Sequence, residues 1–296
     1  MKKNRTTFIM VLFFFMGLLI LLYPSLSNFY NEKFQSKAIV DYEAILEKFD
    51  KEQYDEEFKK AEEYNNALGS LRKPFYEYKK VKGYNEALNV GSNGMIGYLS
   101  IPKIGVELPI YHGTGDEVLS KAVGHLEGSS LPIGGLGTHS ALSAHRGLPS
   151  SKLFTDLDKL EIGDTFTISI LDRLLTYEID KITIVEPKEI KELAIDPNED
   201  YVTLVTCTPY GINTHRLLVR AKRIENAAKP KYITTEAFKI SNLIVTPMVA
   251  LPIIFTLLLI IAFKPVKKNR KWKEKYIYPS KTKNKFGGNN HAKQKN

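Results

Sequence analysis

With a single cysteine in 296 residues, the chain cannot form an intramolecular disulfide or a thiolate metal cluster. Its histidines and carboxylates show no metal-ligand spacing. Gly134-Gly135-x-Gly137 lacks the strand-to-helix context and the following Lys of a phosphate loop, so neither a metal nor any other cofactor is expected. Charge is missing from two long runs, 6–23 and 240–263, each near the ~20 residues that a helix needs to cross a hydrocarbon core. Net positive charge is also missing from the middle of the chain. The first five residues carry three positive charges and residues 264–296 carry twelve Lys or Arg against one Glu. Of the overall +9, the residues between are therefore left at −5. No basic stripe remains on the part that folds, which excludes nucleic acid as the expected partner.

The placement of charge orients the chain. Lys-rich segments outside both runs put the two termini in the cytoplasm and the acidic middle outside, as a two-pass protein of the cell membrane in contact with the lipid bilayer. Ser25-Leu-Ser27 after the first run also allows a cleaved signal peptide, although the apolar stretch exceeds the usual ~7–15-residue signal core. The expected organisation is a cytoplasmic N-terminus (1–5), a first span (6–23), an extracellular helical and linker region (24–94) and a folded main domain (95–228). A linker (229–239), a second span (240–263) and a basic tail (264–296) follow.

What the chain does have is concentrated around its cysteine. Thr203-Leu-Val-Thr-Cys207 is a β-branched strand ended by the turn residues Pro209-Tyr210-Gly211, and 217–224 reads as the returning strand. Alternation puts Leu217, Val219 and Ala221 on one face and Arg216, Leu218, Arg220 and Lys222 on the other. A short connection favours antiparallel neighbours, so Cys207 and Arg216 should meet. A guanidinium beside a thiol favours the thiolate, and beside a reacting carbonyl it donates to developing negative charge. Both effects suit acyl transfer. The alternative is a small buried Cys and a solvated strand Arg.

Of six histidines, His139 and His145 differ by six positions, so an uninterrupted strand aims both at one face and alternation cannot separate them. His215 should point away from Arg216. His112 and His125 lie near turns, and His291 lies in the tail.

The stretch from Thr203 through Arg216-Leu-Leu-Val219 resembles the signature of the sortases, cysteine transpeptidases of Gram-positive surfaces, and most of all their pilus-assembling class C. Gly137-Thr-His-Ser-Ala-Leu-Ser-Ala-His145-Arg-Gly-Leu-Pro149 is similar to the segment carrying that family's catalytic histidine, and this chooses His145. The resemblance covers roughly 95–224. It implies an eight-stranded β-barrel with Cys207, His145 and Arg216 as catalytic residues in an external groove, and Thr206 and Leu218 as substrate-binding neighbours. It further implies cleavage of a Leu-Pro-x-Thr-Gly-type motif between Thr and Gly and transfer to a lysine amine, with pilin subunits as partners. A membrane-bound cysteine hydrolase and a non-catalytic surface scaffold are the competing functions.

The residues independently read as a mostly β domain. Strands are expected over 96–101, 106–111, 140–145, 165–171 and 174–185, besides the two around Cys207, and short helices over 115–123 and 149–157. A closed barrel removes the edges such a sheet would expose. Upstream, Ile39, Tyr42, Leu46, Phe49, Tyr54, Phe58, Ala61 and Tyr64 have helical spacing, which predicts an amphipathic helix over 36–66. Residues 68–94 read as a loop or linker. Class C sortases carry an Asp-Pro-aromatic lid motif in this stretch. Here it is Lys73-Pro74-Phe75, which leaves a differently gated cleft and a linker turn as alternatives.

Overall fold

Eight strands form a closed barrel in a computed structural model that describes residues 2–226 and, beyond them, only Ile254. The expected linker, second span and basic tail lie outside the described residues. The strands are β1 (Met95–Ile101), β2 (Val106–His112), β3 (Val123–His125), β4 (Thr138–Ser143), β5 (Thr165–Ile170), β6 (Arg173–Val185), β7 (Asp200–Thr208) and β8 (His215–Ile224). Their order around the barrel is β1-β2-β3-β4-β7-β8-β6-β5, with β5 closing onto β1. The pairs β2–β3 and β4–β7 are parallel and the rest antiparallel. The interior is apolar, with Leu99, Ile110, Leu142, Phe166, Ile168, Tyr177, Leu204 and Val219 buried. The turn joining β1 to β2 ends on Gly105 at φ +60°, a left-handed conformation that glycine adopts without a Cβ penalty.

The helical region differs from its expected outline in three ways. The first helix, α1 (Lys2–Leu46), does not stop after the apolar run but continues through Pro24 onto the barrel, where it meets β1 and β2. At ~1.5 Å per residue it is ~68 Å long, about twice a hydrocarbon core. From Ile9 it is long and apolar enough to cross a membrane, with an 18-residue window at a mean hydropathy of 2.5. The single helix expected over 36–66 is two, because Asp50 opens a new helix, α2 (Lys51–Gly69). Its carboxylate accepts from Gln53 N at 2.9 Å, and the Gln53 side chain accepts from Asp50 N at 2.9 Å. This reciprocal cap satisfies two amide donors that would otherwise be orphaned and sets a corner between two stripes of similar periodicity. Third, 68–94 is not featureless. It contains α3 (Pro74–Glu77) and a 3₁₀ turn at Tyr78–Lys80.

Two further expectations are corrected. The helix expected over 115–123 shrinks to one turn, α4 (Asp116–Leu119), because the chain then becomes β3, whose three residues are ordered by parallel pairing with β2. The helix expected over 149–157 is a series of turns, with a 3₁₀ turn at Leu157–Lys159.

Beneath β3 lies a buried polar cluster. His125 is fully buried, with Nε2 2.8 Å from Ser130 O and Nδ1 2.9 Å from the Tyr84 hydroxyl. A carbonyl can only accept, so Nε2 carries the proton and Nδ1 accepts from Tyr84. Burial pushes the His125 pKa down to about 4, and burial also lowers His112 and His139. A folded-state pKa below the unfolded value of ~6.5 gives stability that is complete above that pH and is lost as pH falls toward 4. The thermal midpoint should therefore drop on acidification through this window, and His125→Gln should flatten the drop while lowering the midpoint at pH 7.5. Calorimetry across pH checks this, and an equally steep drop in the variant would contradict it.

Candidate active site

Antiparallel pairing of β7 with β8 sets Cys207 directly opposite Arg216, and pairing of β8 with β6 sets Arg216 opposite Val185. Facing residues on one side of a sheet hold their Cβ atoms ~4.5–5.5 Å apart. Leu217, Val219 and Ala221 fill the barrel interior, so Arg216, Leu218 and Cys207 face outward, as alternation requires.

His145 arrives by a different route. The parallel register pairs Ser143 with Val205, and β4 ends there. Beyond it, Ala144 N donates to Val205 O at 3.2 Å and the Thr206 hydroxyl donates to Ala144 O at 2.8 Å. Two residues past Ser143 the chain thus reaches the level of Cys207. His145, Cys207 and Arg216 line one cleft of about 260 Å³, together with Thr206 and Leu218. Thr206 is buried with its hydroxyl committed to Ala144, so it holds the His145 segment against β7. One wall of the cleft is apolar, formed by Leu126, Val185, Leu193, Val205 and Leu218. Cys207 and His145 are both partly exposed, and the Arg216 guanidinium donates to His215 O at 3.0 Å and Asn213 O at 3.3 Å. The polar end can hold an anion or a polarised carbonyl beside a thiol, and the apolar wall can hold an extended peptide.

The other histidines go elsewhere. His139 is buried between Ala194 O at 2.9 Å and the Thr203 hydroxyl at 2.7 Å. His215 is exposed and its Nδ1 lies 2.9 Å from the Thr214 hydroxyl. His112 stands edge-on to the Tyr84 ring with centroids 4.8 Å apart, His125 belongs to the buried cluster described above, and His291 lies outside the described residues. His139 and His145 do not share one strand face, since the strand stops at Ser143.

Residues that the sequence reading passed over hold the cleft together. Arg146 pairs with Asp158 and lies over the Tyr210 ring, 5.8 Å from its centroid. Gly147, at φ +78°, leaves room for that ring, because a Cβ there would come within 3.0 Å of it. The loop after His145 is thereby locked to the loop after Cys207. The signal available was adjacency alone, an Arg-Gly pair following the histidine.

The Lys73-Pro74-Phe75 segment is neither a free linker nor an ion-paired latch. Phe75 packs on the apolar cluster of Ala141, Leu193, Val205 and Leu218 that continues into the cleft. The backbone of Phe75 lies so close to Gly128, at φ +90°, that a Cβ there would meet Phe75 Cα at 2.8 Å. Phe75→Ala and Gly128→Val should each speed alkylation of Cys207 by a bulky maleimide several-fold, the first by removing the apolar anchor and the second by displacing its backbone. Rates equal to wild type in both would show that the segment does not restrict access.

A partly exposed thiol, an arginine across the strand pair and a histidine at the same level, on the outer face of a closed mixed barrel, are the groups that cysteine acyl transfer calls for. The sortase-domain family profile matches residues 99–224. Sortase D of Bacillus subtilis (strain 168) is 33% identical over 131 residues, 43% of this chain and 63% of that protein. Among solved structures, sortase C1 from Streptococcus agalactiae is 49% identical, covering 64% of this chain and 100% of that one at a TM-score of 0.60. A pilus-related sortase C of group B Streptococcus is 43% identical, covering 63% of this chain and 96% of that one at a TM-score of 0.56. The chain belongs to the sortase family, whose members are cysteine transpeptidases.

Proposed function

We propose that the chain is a membrane-anchored class C sortase that joins pilin subunits. What carries this reading is the convergence of His145, Cys207 and Arg216 on one cleft with an apolar wall. The class C likeness of its structural neighbours and the pilus-related name of one of them support the substrate class.

In the first half-reaction the Cys207 thiolate attacks the Thr carbonyl of a Leu-Pro-x-Thr-Gly-type motif. A carbon–sulfur bond forms, the Thr–Gly carbon–nitrogen bond breaks, and the departing amine takes a proton from His145. Arg216, fixed by its own turn, donates to the oxyanion. In the second, His145 accepts a proton from a pilin lysine amine, the amine displaces sulfur, and Cys207 returns as thiolate. Leu218 and the apolar wall would seat the Leu-Pro portion, with Thr206 keeping the wall and His145 in register. The reaction draws on no metal or other cofactor. Two spans with both termini cytoplasmic would set the barrel on the outer face of the membrane. The apolar start of α1 supports the first, and the second rests on the uncharged run 240–263.

The test is to incubate the full chain with a sorting-motif peptide, with and without a lysine-bearing acceptor. Product joined to the acceptor amine is expected. Hydrolysed peptide alone at every acceptor concentration would replace transferase with hydrolase, and no turnover would leave a scaffold.

A further inference from the structure

Ala144 is tied to Val205 and Thr206 of β7, but His145 lies beyond the end of β4 at the start of a loop that those bonds do not hold. Its own carbonyl accepts from Phe154 N at 3.1 Å, and Gly147 N donates to the Thr155 hydroxyl at 3.2 Å, which folds the loop back on itself. The bend forces Leu153 to φ +38° with its side chain buried, a conformation that persists only where surrounding contacts over-determine it.

Part of that support comes from α1, which bonds the three residues before Leu153. Asn28, Asn31 and Gln35 occupy positions i, i+3 and i+7, a single stripe on the helix. Asn28 Oδ1 accepts from Lys152 N at 2.7 Å, and Asn31 Nδ2 donates to Ser150 O at 2.7 Å. Gln35, itself buried, donates through Nε2 to Lys121 O at 2.7 Å and to the Ser151 hydroxyl at 3.3 Å. Three consecutive loop residues are thus gripped by three amide side chains. From the far side, the Lys152 ammonium donates to Ile104 O at 2.8 Å and pairs with Asp156 at 3.1 Å.

We propose that Asn28, Asn31 and Gln35 form a clamp that positions His145 for proton transfer. They act through the loop and touch neither substrate nor reacting atoms, so they are positioning residues. The proposal rests on the acid–base reading of His145. A consequence is that the helix carrying the apolar N-terminal run also sets the geometry of the site, which makes this stretch of α1 part of the working enzyme rather than a tether.

The donor and acceptor roles give a signature that loss of packing would not. At Asn31 the partner is a carbonyl, so the isosteric Asn31→Asp removes the donor and sets a carboxylate against an acceptor. At Asn28 the partner is the Lys152 amide, so Asn28→Leu removes the acceptor and Asn28→Asp restores it; because Asn28 Nδ2 also donates to the Glu32 carboxylate at 2.8 Å, both Asn28 variants are made and compared in a Glu32→Gln background. In the full-length detergent-solubilised chain, Asn31→Asp and Asn28→Leu should each lower the transfer rate at saturating peptide about tenfold, with the peptide KM within about twofold of wild type. Amide exchange across 145–156 should rise in both while β7 and β8 stay protected, and Asn28→Asp should recover rate and protection together. Wild-type rates in Asn31→Asp, or an Asn28→Asp variant as impaired as Asn28→Leu, would overturn the clamp. Exchange that follows this donor–acceptor rule in a wild-type chain that transfers nothing would uphold the clamp and refute the catalytic reading.

Discussion

Cys207→Ala removes the thioester and with it all turnover above background, a loss on the order of 10⁴-fold or more, as for other nucleophiles that form the covalent intermediate. No other thiol can substitute, because Cys207 is the sole cysteine of the chain. The side chain is partly exposed on the outer barrel face, so trading sulfur for hydrogen leaves the core untouched and the thermal midpoint should shift little. Gel-based transfer assays and calorimetry on the same preparation check both halves. Retained turnover would assign the chemistry to another group.

Arg216→Lys is the second large effect. The guanidinium is held by two donations to its own turn, on the residue paired with Cys207 across the ladder. An ammonium on a flexible stem keeps the charge but loses that fixed geometry. Removing one fixed oxyanion donor in comparable sites costs ~10²–10³-fold in kcat, and a similar fall is expected here with peptide KM changing far less. Full activity in the variant would mean that charge alone, or the backbone, stabilises the oxyanion.

How much of this was legible beforehand depended on how local the cause was. The pairing of Cys207 with Arg216 follows from alternation and one short turn, and the register found is the one those features dictate. The barrel strands were legible for the same reason. β3 was not, because three residues carry no period and are ordered only by strands distant in sequence. The corner at Asp50 carried a readable signal, Asp followed three residues later by Gln, which was masked by apolar spacing that runs through it. His145 could be separated from His139 only by family resemblance. The physical reason for the choice, a strand that stops at Ser143 and an inner histidine already bonded on both nitrogens, is tertiary. The seating of Phe75 was hidden by the lysine before it, since the segment is held by apolar contact and by the absence of a side chain at Gly128.

The most direct test of the account is intact-mass spectrometry of the full chain mixed with a sorting-motif peptide in the absence of an acceptor amine. The expected result is a single added acyl fragment ending at Thr, located on Cys207, released by hydroxylamine and missing from Cys207→Ala. A wild-type chain that turns peptide over with no such adduct, or one bearing the adduct on another residue, would contradict it.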